Sequence, residues 1–321
     1  MLVSNNSKYK YDELTKSGWN LFPSLFTKKG EKVLGIGKYE LHKFYFKYLK
    51  FKPDIIMVNW VPASLIPIIF KKLGLVKRPI VLDWGDYYAD MMTNYPKSIV
   101  KLMEDFTFKN SDYITTVSKL NEKRAKDFNK KVIYIPHGYF EGNKKTEINL
   151  DKLKTKKNNL KVIYLGEQSK WKKVDEIILA AKDLECDLFL FGKTNPDFVK
   201  LAGKNIHFMG YIDELEVREV LKQGDILVNT SNQDCNFKFF EYISVGKPIL
   251  AFDGLPANIL KHKENAYLTK DFKQGLAELI NDKQLRKKLE KNVKKIKTYS
   301  WDKIIDKHLK YYKDILQGKY K

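Results

Sequence analysis

Two doubly wound α/β domains in tandem are the architecture this 321-residue sequence predicts. Three observations predict it. Short apolar runs of the kind buried on both faces of a parallel sheet recur along the chain. Longer amphipathic stretches, suited to helices lying on such a sheet, separate them. The alternation runs through once, breaks at the polar stretch EGNKKTEINLDKLKTKKNNL (141–160), and then starts again.

In chain order, the first half gives MLVS, KVLGI, DIIMVNW, PIVLDW, DYITTVS and KVIYIP as buried parallel strands, with helices over 38–51, 97–109 and 118–128. The second half gives KVIYLG, DLFLFG, IHFMGYI, DILVNTS, PILAFD and AYLT, again with helical segments between. The tail YSWDKIIDKHLKYYKDIL predicts a last helix with no strand to follow, packing back toward the N-terminal domain. The boundaries are a first domain at 1–142, a linker at 143–159, a second domain at 160–299 and the closing helix at 300–321. Doubly wound sheets bind ligands beyond the carboxyl ends of their strands. The loops after YLG, LFG, FMGY, VNTS and AFDG are therefore expected to share a cleft with those after MLVS, VNW and LDWGD.

Composition narrows the class. Hydrophobic residues make up 43% of the chain, enough for real cores, yet no run approaches the roughly 18 apolar residues of a membrane span, so a soluble protein is expected. The start, MLVSNNSKYKYDEL, lacks the parts of a signal peptide. Cys186 and Cys235 have no metal-site spacing, which fits a reducing cytoplasm and argues against a zinc site or a disulfide framework. The net charge of +21 attracts polyanions of every kind: nucleic acid, anionic lipid or phosphorylated small molecules. A Lys- and Asn-rich composition that serves solubility explains it equally well. With no nucleic-acid motif present, no specific nucleic-acid partner is expected.

The second half resembles the donor-binding domain of GT-B glycosyltransferases of the retaining family 4 type. The resemblance is carried by YLGEQSKWKKVDEIILAA, LFLFG, IHFMGYIDELEVREVLKQGDILVNTS and NFKFFEYISVGKPILAFD, in family order, and by TYSWDKI near the end. It is looser in the first half, through PDIIMVNW, VLDWGDYYADM, SDYITTVSKL and KVIYIPHGYF. It implies a GT-B fold, an N-terminal acceptor domain, a C-terminal nucleotide-sugar domain, and sugar transfer with retention to a hydroxyl acceptor such as a glycan or a lipid-linked sugar. UDP is the first expectation for the nucleotide and GDP the second. No cofactor and no metal are expected, because the nucleotide sugar is a substrate and this architecture does not require a metal.

The chemistry of a nucleotide sugar sets what the site needs: cations or helix N-termini for the diphosphate, a carboxylate for the ribose diol, and an edge for the base. Glu241 stands where the family places its second glutamate and is expected to hold the ribose; the alternative is a solvated glutamate on a helix face. Lys172 stands where the family has its phosphate-binding lysine, beside Lys170 and Lys173, which could equally make it one more surface lysine. Gly166 lets backbone approach the phosphates or closes a tight turn. Gly192 and Tyr211 lie near the expected base pocket. Two positions depart from the common pattern: Glu167 replaces an arginine, and Gln233 stands where a glutamate eight residues before Glu241 is usual. A branch of the family resembles S…K-x-x-E-Y…G-K-P, which Ser231, Lys238, Glu241, Tyr242, Gly246, Lys247 and Pro248 fit. Lys238 is then a second cation for the diphosphate, and Gly246 and Pro248 are structural.

On the acceptor side, Asn5 and Asp86 are the candidates, Asp86 through LDWGDYYAD, whose acids do not form a D-x-D metal motif. Asp86 serves the transferred sugar or the incoming hydroxyl, or else caps a turn. At His137 a structural turn outweighs a catalytic role. The segment KYELHKFYFKYLKFK (38–52) sets Lys43, Lys47 and Lys50 beside Phe44, Tyr48 and Phe51, either lying on an anionic membrane or covering the sheet with its lysines in water. The reading is a cytoplasmic glycosyltransferase, peripheral at the membrane if that helix meets lipid, with Lys172, Lys238 and Asp86 nearest the chemistry. A non-catalytic GT-B-like supporting subunit and a nucleotide-sugar 2-epimerase are the alternatives.

Overall fold

The computed structural model describes residues 2–4, 32–34, 43–59, 61–85, 87–91, 95–141, 153, 155, 159–214, 216–233 and 235–319. The chain divides into two compact units. The first is Met1–Pro136 with Asp302–Lys321, and the second is His137–Trp301.

In the first unit a six-stranded sheet is built from β1 (Leu2–Ser4), β2 (Lys32–Leu34), β3 (Ile55–Val58), β4 (Ile80–Trp84), β5 (Tyr113–Thr116) and β6 (Val132–Tyr134), in the order β2-β1-β3-β4-β5-β6. From β3 to β6 neighbours run parallel. β1 is antiparallel to both β2 and β3, which corrects the expectation of an all-parallel sheet. An apolar run records burial but not direction, so three residues such as Leu2–Ser4 fit a sheet either way.

Alternation along the strands builds a layer on each face. Ile56, Val58, Ile80, Leu82 and Ile114 point toward α1 (Phe44–Phe51), α2 (Val61–Lys72), α4 (Lys97–Asn110) and α5 (Lys119–Lys126), which contribute Phe44, Ile68, Phe108 and Ala125. The opposite face, with Ile55, Met57, Val81 and Tyr113, is covered by Ile305, Tyr311, Tyr312 and Ile315 of the last helix, α12 (Trp301–Leu316). Here the Tyr312 hydroxyl donates to Met57 Sδ at 3.0 Å, and burial pushes His308 down to about 4, keeping its ring neutral.

Two buried carboxylates sit under this sheet's carboxyl edge. Asp83 accepts from Thr115 Oγ1 at 2.7 Å on the neighbouring strand, and burial pushes it up to about 6 against that bond. Glu104 of α4 is fully buried and accepts the Tyr88 amide at 3.0 Å, at the start of the short helix α3 (Tyr88–Met91). Its other oxygen meets Arg124 Nη2 at 3.3 Å, and the Arg124 guanidinium lies 3.9 Å from the Tyr87 ring centroid. The pair thus ties the loop after β4 to two helices. Removing one member of a buried pair strands the other charge, which costs about 3–5 kcal/mol. Arg124 is 23% exposed, so Arg124→Met is expected to lose about 2–3 kcal/mol, read as a lower urea midpoint at unchanged m.

The second unit holds a fully parallel sheet of β7 (Leu160–Leu165), β8 (Cys186–Phe191), β9 (Ile206–Gly210), β10 (Ile226–Asn229), β11 (Ile249–Phe252) and β12 (Tyr267–Thr269), in the order β12-β11-β10-β7-β8-β9. One face packs on α6 (Val174–Lys182), the short α7 (Pro196–Val199), α10 (Phe272–Asn281) and α11 (Lys283–Val293). The other face packs on α8 (Val217–Lys222) and α9 (Phe237–Val245). Residues 137–141 belong to this unit because they pair with its last segment: the Tyr139 amide donates to Tyr299 O at 3.0 Å and Trp301 N returns to Tyr139 O at 3.0 Å. The linker placed by sequence at 143–159 lies almost wholly outside the described residues.

Candidate functional site

The strand order of the second sheet reverses between β7 and β10, so the loops leaving their carboxyl ends part, and ligands of doubly wound folds bind at such a point. The first of these loops starts at Gly166. Its amide donates to Phe191 O at 2.9 Å, and its φ of +152° is one that side chains rarely adopt. Gly192, at the end of β8, fits only because it lacks a Cβ, which would stand 2.0 Å from the Gly166 carbonyl oxygen. The loop runs on through Gln168, buried, whose Oε1 accepts the Asn195 amide at 3.2 Å, into a 3₁₀ turn at Lys170–Lys172. Lys172 therefore lies in a turn ahead of α6 and not on the helix itself. Thr230, just past β10, donates its hydroxyl to the Lys172 carbonyl and so ties the two loops together.

Charge collects here. Lys172 Nζ lies 3.3 Å from Glu167 Oε2 and 4.8 Å from the Trp171 ring centroid, with its side chain 17% exposed. Lys238 sits in the first turn of α9, whose cap is the Asn236 side chain accepting the Lys238 amide at 3.1 Å. Burial holds the Lys238 ammonium below its usual range; Glu241 and Glu214 oppose that, and nearby Lys172 adds to it. One turn further along α9, Glu241 is 1% exposed, so it is no solvated glutamate. Its Oε1 accepts the Phe140 amide at 3.0 Å, while its Oε2 is buried with no hydrogen-bond partner. Burial pushes this carboxyl up to about 7, opposed by the Phe140 bond, Lys238 and Arg218. Arg218 is held beside it by Ser244, whose Oγ accepts Nη1 at 2.9 Å, and by the Tyr139 ring, 4.7 Å from the guanidinium.

Of the residues expected from sequence, Gly166, Lys172, Ser231, Lys238 and Glu241 all lie in the loops and helix start beyond β7 and β10. Ser231 is buried and donates to Gln233 Oε1 at 3.0 Å. Gly246 ends α9 with φ +69°, and Tyr242 donates nothing to solvent, its hydroxyl accepting the Leu165 amide at 2.8 Å. The Gly192 amide is already spent on Gly210 O at 2.8 Å, and Tyr211 beyond β9 is 81% exposed. His137 meets Phe237, Phe240 and Trp301 edge-on at 6.1, 6.0 and 5.9 Å, an aromatic setting. Asn5 and Asp86 lie outside the described residues. Sequence reasoning passed over Thr230, Glu214 and Arg218. Thr230 had a signal, standing next to Ser231 after a strand; Arg218, on a helix with ordinary charge spacing, had none. Among the described residues, no group of three His, Cys, Asp or Glu could hold a metal ion.

Residues 159–282 match the family model described as Glycosyl transferases group 1. Over 98% of its length the chain is 26% identical to the uncharacterized glycosyltransferase MJ1069 of Methanocaldococcus jannaschii, of which 90% is covered. The structure is similar to that of HepE from Anabaena in complex with UDP and glucose, with a TM-score of 0.68 and 18% identity, covering 86% of this chain and 81% of that one. It is also similar to sucrose-phosphate synthase from Thermosynechococcus elongatus, with a TM-score of 0.70 and 14% identity over 88% of this chain and 81% of that one. The fold is thus GT-B, two Rossmann-like units. With a glycosyl transferases group 1 domain as the second unit, the class these findings define is a GT-B glycosyltransferase.

The packing of Gly192 on Gly166 sets the loop that precedes Lys172. Gly192→Ala puts a side chain at φ +128° and against a backbone oxygen, strain of at least about 1–3 kcal/mol. Chemical denaturation is expected to show that loss as a lower urea midpoint. A second expectation concerns pH. Because burial pushes the Glu241 carboxyl up to about 7, a ligand held by its carboxylate should bind more tightly at pH 8 than at pH 6. A ligand whose own charge does not change in that range is the proper probe, and Glu241→Gln should flatten the profile.

Proposed function

We propose that the protein transfers a sugar from a nucleotide-sugar donor, UDP-linked in first place and GDP-linked in second, to a hydroxyl of a glycan or lipid-linked acceptor, with retention at the anomeric carbon. The observation that carries this reading is the gathering of Lys172, Lys238 and Glu241 at the point where β7 and β10 part. Lys172 and Lys238 bring two cations to a diphosphate whose charge grows as the sugar leaves. Ser231 and the backbone at Gly166 line the same loops. Glu241 takes a ribose hydroxyl on Oε2, the atom that burial leaves without a partner. On this reading Gly192 and Tyr211 serve the base, and Asn5 and Asp86 would serve the acceptor.

In the reaction the bond from the anomeric carbon to the β-phosphate oxygen breaks and a bond to the acceptor oxygen forms on the same face. The acceptor proton passes to the departing phosphate, so no protein base is required. Support for a UDP donor comes from HepE, whose similar structure holds UDP and glucose.

Thermal shift with UDP, GDP, ADP, dTDP and CMP tests the donor site, since a ligand at 100 times its Kd adds about 2.7 kcal/mol. One nucleotide is expected to stabilise the native chain. Glu241 also brackets Phe140, so two variants are needed to separate the roles. Glu241→Gln keeps an acceptor for the Phe140 amide but loses the charge, whereas Glu241→Ala loses both, leaving that amide unmet at about 1–3 kcal/mol. If Glu241→Gln folds as the native chain does and loses the nucleotide shift, the ribose role stands. An undiminished shift leaves Glu241 as a bracket only. Binding of UDP without turnover of any UDP-sugar, acceptor extracts included, would favour the supporting-subunit reading.

A further inference from the structure

The first unit's helical layer shows an unusual outer surface. α1, α2 and α4 lie on one face of the sheet and bury Phe44, Ile68 and Phe108 toward it. On α1 the residues opposite Phe44 are Phe46, 75% exposed, and Leu49, 49% exposed. α2 and the turn that follows it add Ile69 and Leu73, 47% and 67% exposed, and α4 adds Ile99 and Leu102, 50% and 70% exposed. Seams between the helices are tight: the Tyr45 and Phe70 rings stack at 4.9 Å between α1 and α2, and Lys72 Nζ lies 5.9 Å from the Phe106 ring centroid between α2 and α4. The exposed apolar side chains are thus borne by neighbouring helices of one layer.

The exposed charges borne by these three helices have one sign. Lys50, Lys72, Lys101 and Lys109 are exposed on the same three helices. α1 and α2 contain no acid, and the two acids of α4 turn inward, Glu104 fully buried and Asp105 3.7 Å from Arg124. The second unit supplies the contrast. Its α11 is also rich in lysine, with Lys287 and Lys288 exposed, but shows no exposed large apolar residue. A polyanion in water asks only for cations; large apolar side chains set among cations, with acids withdrawn, match a surface that is anionic outside and hydrocarbon a few ångströms below.

We infer that the outer face of α1, α2 and α4 docks on an anionic lipid bilayer, lysines at the headgroups and Phe46, Leu49 and Leu102 in the interface. This goes beyond the transfer reaction and does not depend on it, since docking can be read on protein that turns nothing over. It gives a physical reason for a lipid-linked acceptor.

The test is co-sedimentation of the full chain with vesicles of phosphatidylcholine alone or mixed with phosphatidylglycerol. Binding is expected to the mixed vesicles at physiological salt and to be at least tenfold weaker to phosphatidylcholine. Phe46→Ser/Leu49→Ser/Leu102→Ser, which leaves the charge unchanged, should weaken binding about tenfold, and Lys50→Glu/Lys101→Glu at least as much. Lys287→Glu/Lys288→Glu, the same charge change on α11, should alter it less than twofold. Circular dichroism and melting temperature check that each variant is folded. A Phe46→Trp variant should have the fluorescence of its new indole quenched by lipids brominated along the acyl chain. The inference is overturned if the serine variant binds like the native chain, if the α11 variant loses as much as the α1/α4 variant, or if the Phe46→Trp variant shows no such quenching beyond that of the native chain. It is equally overturned if single-stranded RNA at matched charge displaces the protein from the vesicles, which would mark a general polycation.

Discussion

Where β7 and β10 lie side by side, the chain leaves one strand toward β8 and the other toward β11, and the two following loops must part. That topological constraint decides what can stand in the opening. From the β7 side come Gly166 and the turn holding Lys172; from the β10 side come Thr230, Ser231 and the helix that carries Lys238 and Glu241. Both sides are fastened before any ligand arrives. The Tyr242 hydroxyl takes the Leu165 amide, and Thr230 takes hold of the Lys172 carbonyl, so the cations are borne on backbone already fixed from the neighbouring loop. Such pre-set placement is what electrostatic stabilisation of a leaving group needs, because cations that must first be gathered return little of their attraction.

The balance of charge within the opening explains the titration of its groups. Lys238 and Glu241 are both largely buried, and each is pushed toward its neutral form by loss of water. Lys172 pushes Lys238 further that way, and Glu214 does the same to Glu241. A diphosphate brings the opposite field: it favours the charged ammonium groups. On the proposed reading the donor's diphosphate steadies the Lys238 ammonium, and the ribose hydroxyl on Oε2 steadies the Glu241 carboxylate that the diphosphate's charge alone would disfavour. This is a reason for a binding site to tolerate buried charges that do nothing for stability by themselves.

Much of the architecture was legible in the sequence. Each of the twelve apolar runs is a strand, because a sheet covered on both faces demands apolar side chains at successive positions. The direction of β1 was not legible, since direction lies in the connections and not in the strand. Nor was the Glu104–Arg124 pair, twenty residues apart on two helices, each member of which reads alone as a surface charge. At the site, the short stretch from Ser231 to Pro248 announced Lys238 and Glu241 by packing charges into an apolar helix. Arg218 could not be read the same way: its place beside Glu241 is set by Ser244 and Tyr139, residues with no sequence relation to it.

The departures at Glu167 and Gln233 weigh differently once their surroundings are known. Glu167 faces Lys172, but its side chain is 57% exposed, and an ion pair so open to water is worth at most about 1 kcal/mol. A diphosphate carries more charge than this carboxylate and would meet Lys172 and Lys238 together, so it wins that exchange. On the proposed reading Glu167 gives up this pair at little cost when a donor binds. Gln233 is neutral, with Oε1 taking the Ser231 hydroxyl. A glutamate there would have added a negative charge to an opening that already holds Glu241 and Glu214, each raised by burial. Its absence leaves the cations less opposed. What it gives up is a charged acceptor for the sugar, so discrimination among sugars on the proposed reading rests on neutral hydrogen bonds from residues such as Gln233, and a donor site built that way keeps its hold on the diphosphate while asking less of the sugar.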